Sequence, residues 1–95
     1  MVEKQNNKLI VKPVWIFNTF TVFIIEKELD KSIDTVEVDL VDTQLVDTDA
    51  LKFLYQLAVG GRQVIIKNPP KIMFDVLELL DIFDEFFKVV RLTRS

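Results

Sequence analysis

Between Thr35 and Lys67 the spacing of apolar residues changes twice, and this limits the folds open to the chain. In Thr35-Val36-Glu37-Val38-Asp39-Leu40, the residues Val36, Val38 and Leu40 fall on one side and Glu37 and Asp39 on the other. That alternation predicts a strand with one face on a core and one wetter face. Asp42-Thr43-Gln44 reads as a polar turn, and Leu45-Val46 is apolar again. From Thr48 to Val59 the period is helical, with Ala50, Leu51, Leu54, Leu57 and Ala58 in a stripe that Phe53 widens. Gly60-Gly61 stops the helix, as glycine does beyond a C-cap. Gln63-Val64-Ile65-Ile66-Lys67 is apolar at its centre, as a buried parallel strand is. Strand, helix and strand in this order predict a right-handed crossover and a mainly parallel sheet.

The flanks extend the pattern. Leu9-Ile10-Val11 is a short β-rich run, and Pro13 punctuates it as a bend or an edge. Val14-Trp15-Ile16-Phe17 continues extended, and Asn18-Thr19 offers caps for a helix over about 20–31, where Phe20, Phe23, Ile24 and Lys27 recur at helical spacing. Asn68-Pro69-Pro70 ends the central strand and opens a helical region over 71–87, with Pro tolerated in the first turn. Ile72, Val76, Leu79, Leu80, Phe83 and Phe87 fall on one face of it. It reads as one helix, or as two with a break near Asp81, where Asp81 would cap and Asp84 would stand in the first turn. Val89-Val90-Arg91-Leu92 adds a short strand. The expectation is an α/β chain with a small mainly parallel or mixed sheet of about four to five strands and three to four helices. Residues 1–8 are polar and expected to be a flexible N-terminus, with 9–95 as a single domain.

Composition narrows function. The chain has 95 residues, is 49% hydrophobic and contains eight Phe, enough for one well-filled core. It has no Cys and no His, which excludes a thiol nucleophile, a Cys/His zinc site, a redox pair and a His-based triad. The absence of Cys fits a reducing cytoplasm. A net charge of −3 without a basic patch argues against nucleic acid as a partner. No signal peptide is evident. Pro13 to Ile25 carries no charge but is too short for a membrane span, which needs about 20 residues; it suits a buried or interfacial segment, with burial the expectation, and its Phe-rich helix either buries entirely or exposes a docking patch. No Gly-rich phosphate loop is present, so the chain is not expected to be an ATPase or kinase, and no cofactor is implied.

The stretch Val46-Asp47-Thr48-Asp49-Ala50-Leu51 holds the chemistry. A hydroxyl lies between two acids at a helix start. Thr48 or Asp47 serves there as a cap for free backbone N–H groups. Thr48 also suits a phosphoryl acceptor, since those N–H groups and the positive end of the helix dipole favour added negative charge. Asp39, Asp42, Asp47 and Asp49 form an acidic rim whose spacing is not that of an EF-hand. Such a rim is most commonly a solvated face, and it supports acid/base chemistry only weakly.

Val38-Asp39-Leu40 followed by Leu45-Val46-Asp47-Thr48-Asp49-Ala50-Leu51 resembles the STAS domain signature, in which a strand carrying Asp leads to Asp-Ser/Thr-x-Gly-Leu at a helix start. Gly60-Gly61-Arg62-Gln63-Val64-Ile65-Ile66 resembles the strand that follows, and Asn68-Pro69-Pro70 with Val76–Phe87 resembles the closing Pro start and Leu-Glu-Leu helix. The likeness covers roughly 35–90. Upstream, Trp15-Ile16-Phe17-Asn18 stands where the family has a Gly-Glu-Leu-Asp-type segment. Ala50 replaces the motif Gly, Asp49 replaces a small or hydroxylic residue, and Asn18 replaces Asp.

The resemblance implies a non-catalytic interaction domain of cytoplasmic location. In bacterial anti-sigma-factor antagonists of this family a kinase-type anti-sigma factor binds the domain and phosphorylates the Ser/Thr after the motif Asp. Carried over, Thr48 is the acceptor, and Asn18, Asp42, Asp47, Thr48, Asp49, Ala50 and Leu51 form the partner surface. An alternative is the small STAS subunit of Mla-type lipid-transport ABC systems, whose helix start docks on the ATPase. A small hydrolase using the acidic rim is a distant third. A monomer or weak dimer without direct membrane insertion is expected.

Overall fold

The computed structural model describes residues 1–94. In order the elements are β1 (Val2–Gln5), β2 (Lys8–Val11), β3 (Trp15–Phe17), α1 (Thr19–Glu28), β4 (Thr35–Asp39), β5 (Thr43–Val46), α2 (Thr48–Val59), β6 (Gln63–Lys67), α3 (Lys71–Leu79), α4 (Phe83–Val89) and β7 (Val90–Thr93). Five strands form one sheet in the order β1-β2-β4-β6-β7, and β3 pairs with β5 in a second. The β1–β2 pair is antiparallel, and the other strand pairs are parallel.

Register stacks the apolar residues into rows. One row is Val2, Val11, Val38, Ile66 and Leu92, and the next is Leu9, Val36, Val64 and Val90. These rows face the helices, and Leu9, Val11, Val36, Val38, Val64, Ile66 and Val90 are buried. The other face carries Glu3, Ile10, Glu37, Ile65 and Arg91 in a single row. None of these is fully buried. The interior strand β6 is therefore covered on one side, not both, and the polar positions of the central strand β4 account for the open face. Between sheet and helices the core is completed by Phe17, Ile25, Ile33, Leu40, Ala50, Leu51, Leu54, Met73, Leu77 and Phe86.

Four expectations need correction. Residues 1–8 are not a frayed lead: Val2–Gln5 pairs with β2 through a turn in which Asn6 has φ 56°, a left-handed conformation that Asn tolerates well. Thr43-Gln44 is strand, not turn, because the Thr43 hydroxyl donates to the Pro13 carbonyl at 3.0 Å while the backbone pairs with β3. Asp81 does not cap α4; its φ of 56° makes it the left-handed residue that ends α3, with its N–H on Glu78 O at 3.0 Å and the Ile82 N–H on Leu77 O at 3.2 Å. That break resets the helical phase. Met73, Leu77 and Phe86 are the fully buried residues of α3 and α4, while Leu79 is 86% exposed. Phe74, Phe83 and Phe87 cluster beside them, the last two edge-to-face at 4.8 Å. Among the described residues no helix is long and apolar enough to cross a membrane.

The fourth correction concerns α1. The stripe Phe20, Phe23 and Ile24 faces outward, 77%, 65% and 39% exposed, while Thr21 and Ile25 are buried. The expectation that Pro13–Ile25 is buried fails on this helix.

Candidate functional site

The small β3–β5 sheet is the platform for the site. It sets two strand-to-helix junctions side by side, because Phe17 pairs with Val46 in parallel register. The Asp47 N–H then donates to the Phe17 carbonyl at 2.8 Å, one step past the last pair. Asn18 and Asp47, the residues that follow the paired positions, are the N-caps of α1 and α2. Asn18 Oδ1 accepts from the Phe20 N–H at 3.1 Å, and Asp47 Oδ1 accepts from the Asp49 N–H at 2.8 Å. Both caps are extended, as N-caps are. Asp47 is therefore the cap, and Thr48 is the first helical residue with its side chain free for another role.

Thr48 and Asp49 are exposed at the α2 start, and Asn18 and Asp47 are half-buried beside them. Thr48 stands between the capping carboxylate and Asp49, the one acid in the first turn of α2. A dianionic phosphate on Thr48 would add about −1.5 to −2 charges at this acidic corner. The free N–H groups and dipole of the first turn would offset part of that repulsion.

The sequence-derived surface divides into three parts. Asn18, Asp47, Thr48 and Asp49 come together as expected. Ala50 and Leu51 do not belong to a contact surface: both are wholly buried and anchor the first turn of α2 in the core. The inward location of Ala50 leaves no room for a partner to touch it. Asp42 lies at the opposite end of β5 from Asp47, roughly 16 Å away at about 3.3 Å per residue. There its carbonyl accepts from the Trp15 N–H at 2.8 Å and its carboxylate pairs with Lys12 at 3.5 Å. Asp39 is also committed, accepting from the Val41 N–H at 3.0 Å and from Asn68 Nδ2 at 3.1 Å. Among the described residues, no three acids converge as a metal site would require. The acidic rim is a set of separate caps and pairs.

Sequence reasoning left open whether the Phe-rich α1 is buried or exposed, and it did not find the exposure of Trp15, which lies at the Asp42 end of β3, away from this corner. Trp15, the single Trp, is 55% exposed and has φ 74°, a strained conformation for a bulky residue. Its N–H bond to Asp42 holds it there, at a register shift in β3. Phe20 and Phe23 follow on α1. The signal was present but ambiguous, since α1 is apolar on both sides: Val22 and Ile25 compete with Phe20, Phe23 and Ile24 for the core.

No family model and no curated protein matches the chain. Among solved structures, the anti-sigma factor antagonist SpoIIAA in its unphosphorylated form matches with a TM-score of 0.65 at 12% identity, over 83% of this chain and 81% of that one. At that identity the likeness concerns backbone architecture. With the mixed sheet, the four helices and the α2 start described above, it shows that this chain has a STAS-like α/β fold.

Proposed function

We propose that the chain is a non-catalytic docking domain of the anti-sigma-factor-antagonist type. Its partner is a kinase-type anti-sigma factor that binds the α2 start and phosphorylates Thr48. The observation that carries this reading is the exposed Thr48 at the first helical position, relieved of capping by Asp47. In the transfer, Thr48 Oγ1 attacks the γ-phosphorus of ATP held by the partner. The new O–P bond forms as the bond to the ADP oxygen breaks, and a base on the partner takes the hydroxyl proton. The charge gained beside Asp47 and Asp49 would repel an acidic or apolar partner face and release it. Incubation with such a kinase and Mg-ATP should add one phosphoryl group to the wild type and none to Thr48→Ala. No modification of the wild type, or equal modification of both, contradicts the reading.

The exposed Phe20 and Phe23 of α1, together with an exposed Trp15 in β3, favour a second reading, a STAS subunit docked on the ATPase of a Mla-type lipid-transport ABC complex. A pull-down from native cells separates the two: a GHKL-type kinase supports the first and an ABC ATPase the second.

A further inference from the structure

We infer that the cleft between α2 and α4 is a binding site for a free α-amino acid with an apolar side chain. The two helices pack against each other, and the turn at Asp81 brings Ile82 in just ahead of α4. Lys52 and Tyr55 of α2, with Ile82 and Glu85 on the other side, line a cleft of about 210 Å³ whose walls are almost entirely apolar. Lys52 and Tyr55 are three residues apart, as are Ile82 and Glu85, so each pair presents one wall. The apolar walls are the Tyr55 ring, the Ile82 side chain and the aliphatic stems of Lys52 and Glu85. An apolar cavity of roughly 150 Å³ holds a benzene ring, and drug-sized sites run to roughly 300–1,000 Å³. This cleft therefore takes one ring or one branched aliphatic group.

The rim selects what that group is attached to. Lys52 and Glu85 are exposed, while Tyr55 and Ile82 are half-buried, so two opposite charges stand above an apolar floor. Among the described residues no other charged side chain lines the cleft. Neither Lys52 nor Glu85 belongs to an ion pair among those residues, and the two do not bridge the cleft to each other. An anion with an apolar tail gains from Lys52 and is repelled by Glu85, and an apolar amine meets the reverse. A neutral apolar molecule leaves both charges unused. A zwitterion uses both: its carboxylate accepts from the Lys52 ammonium, its own ammonium donates to the Glu85 carboxylate, and its side chain fills the cleft. The inference goes beyond the proposed function and does not rest on it.

The test uses the full chain and follows the amide chemical shifts of Lys52, Tyr55, Ile82 and Glu85 as L-leucine or L-phenylalanine is added. At least one of the two should shift these residues and half-saturate near about 1 mM. The amide of that amino acid, which lacks the carboxylate, and its N-acetyl form, which lacks the ammonium, should each bind at least about tenfold more weakly. Lys52→Gln should erase the preference over the amide, and Glu85→Gln the preference over the N-acetyl form. Both variants should keep the thermal midpoint, because the two side chains are exposed. Shifts absent from these residues at about 20 mM of either amino acid overturn the inference. So do preferences that survive in the variants, or tighter binding of octanoate than of either amino acid. The assay contains neither kinase nor ATP, so its failure leaves Thr48 phosphorylation standing, and failure of phosphorylation leaves amino-acid binding standing.

Discussion

α1 and α2 begin side by side, each springing from a strand of the same small parallel sheet and each capped by a polar side chain, yet they treat their apolar stripes in opposite ways. In α2 the stripe turns inward, and Ala50, Leu51 and Leu54 are completely buried. In α1 the aromatic stripe turns outward and a threonine takes a core position. The difference teaches that helical periodicity identifies a stripe without fixing what covers it. Where both sides of a helix are apolar, packing against the neighbouring elements decides. α1 rests on α2, and the residues it turns inward are Thr21 and Ile25.

The largest expected effect lies on the inward side. Leu54→Ala opens a cavity in the core and should cost about 2–5 kcal/mol of unfolding free energy in urea melts. A cost under about 1 kcal/mol would place α2 outside the core and erase the contrast. Next is the junction itself. Asp47→Ala removes the α2 cap and should cost about 0.5–2 kcal/mol, whereas Asp47→Asn, which keeps a capping oxygen, should recover most of it.

The outward side should be nearly silent in stability. Phe20→Ser should change the denaturation midpoint by no more than about 0.5 kcal/mol equivalent, as exposed positions do. A loss comparable to that of Leu54→Ala would show the Phe20 ring to be core.

The smallest effect concerns the loop that follows α1. Hydrogen bonds from the Ser32 hydroxyl and the Ser32 N–H, with Lys4 nearby, hold Asp30 below its usual 3.8, at about 2. The folded pKa is depressed, so the stabilisation is present above the unfolded value and is lost as pH falls from about 4 through about 2. Ser32→Ala should flatten the acid limb of a stability profile over that window. A limb unchanged in this variant would dismiss the Asp30 contacts.

Much of this architecture was legible in the sequence. The alternation of β4, the α2 stripe, the Gly60-Gly61 stop and the β6 run are local patterns, and the boundaries of α2 and β6 match them residue for residue. Gly61 takes φ 107°, which explains why a glycine is needed where the chain turns back toward β6. Thr48 at a helix start was legible for the same reason. What escaped depends on partners distant in sequence. β5 is a strand because β3 lies beside it, and β1 is ordered because β2 offers an edge. Ala50 and Leu51 share a motif with Thr48, but their place in the apolar stripe of α2 already assigns them to its inner side, and the structure agrees with the stripe and not with the motif. Asp42 looked close to Asp47 in sequence, and the extended β5 between them pulls the two apart.

The proposed function has a protein partner cover the α2 start, where Thr48 is exposed. Hydroxyl-radical footprinting of the complex with the partner captured by pull-down tests this at side-chain level. The account predicts that Phe20, two residues past the Asn18 cap beside that start, loses labelling on complex formation while Leu79, exposed on α3, keeps it. Protection of Leu79 with Phe20 still labelled would contradict the account and move the docking surface to α3.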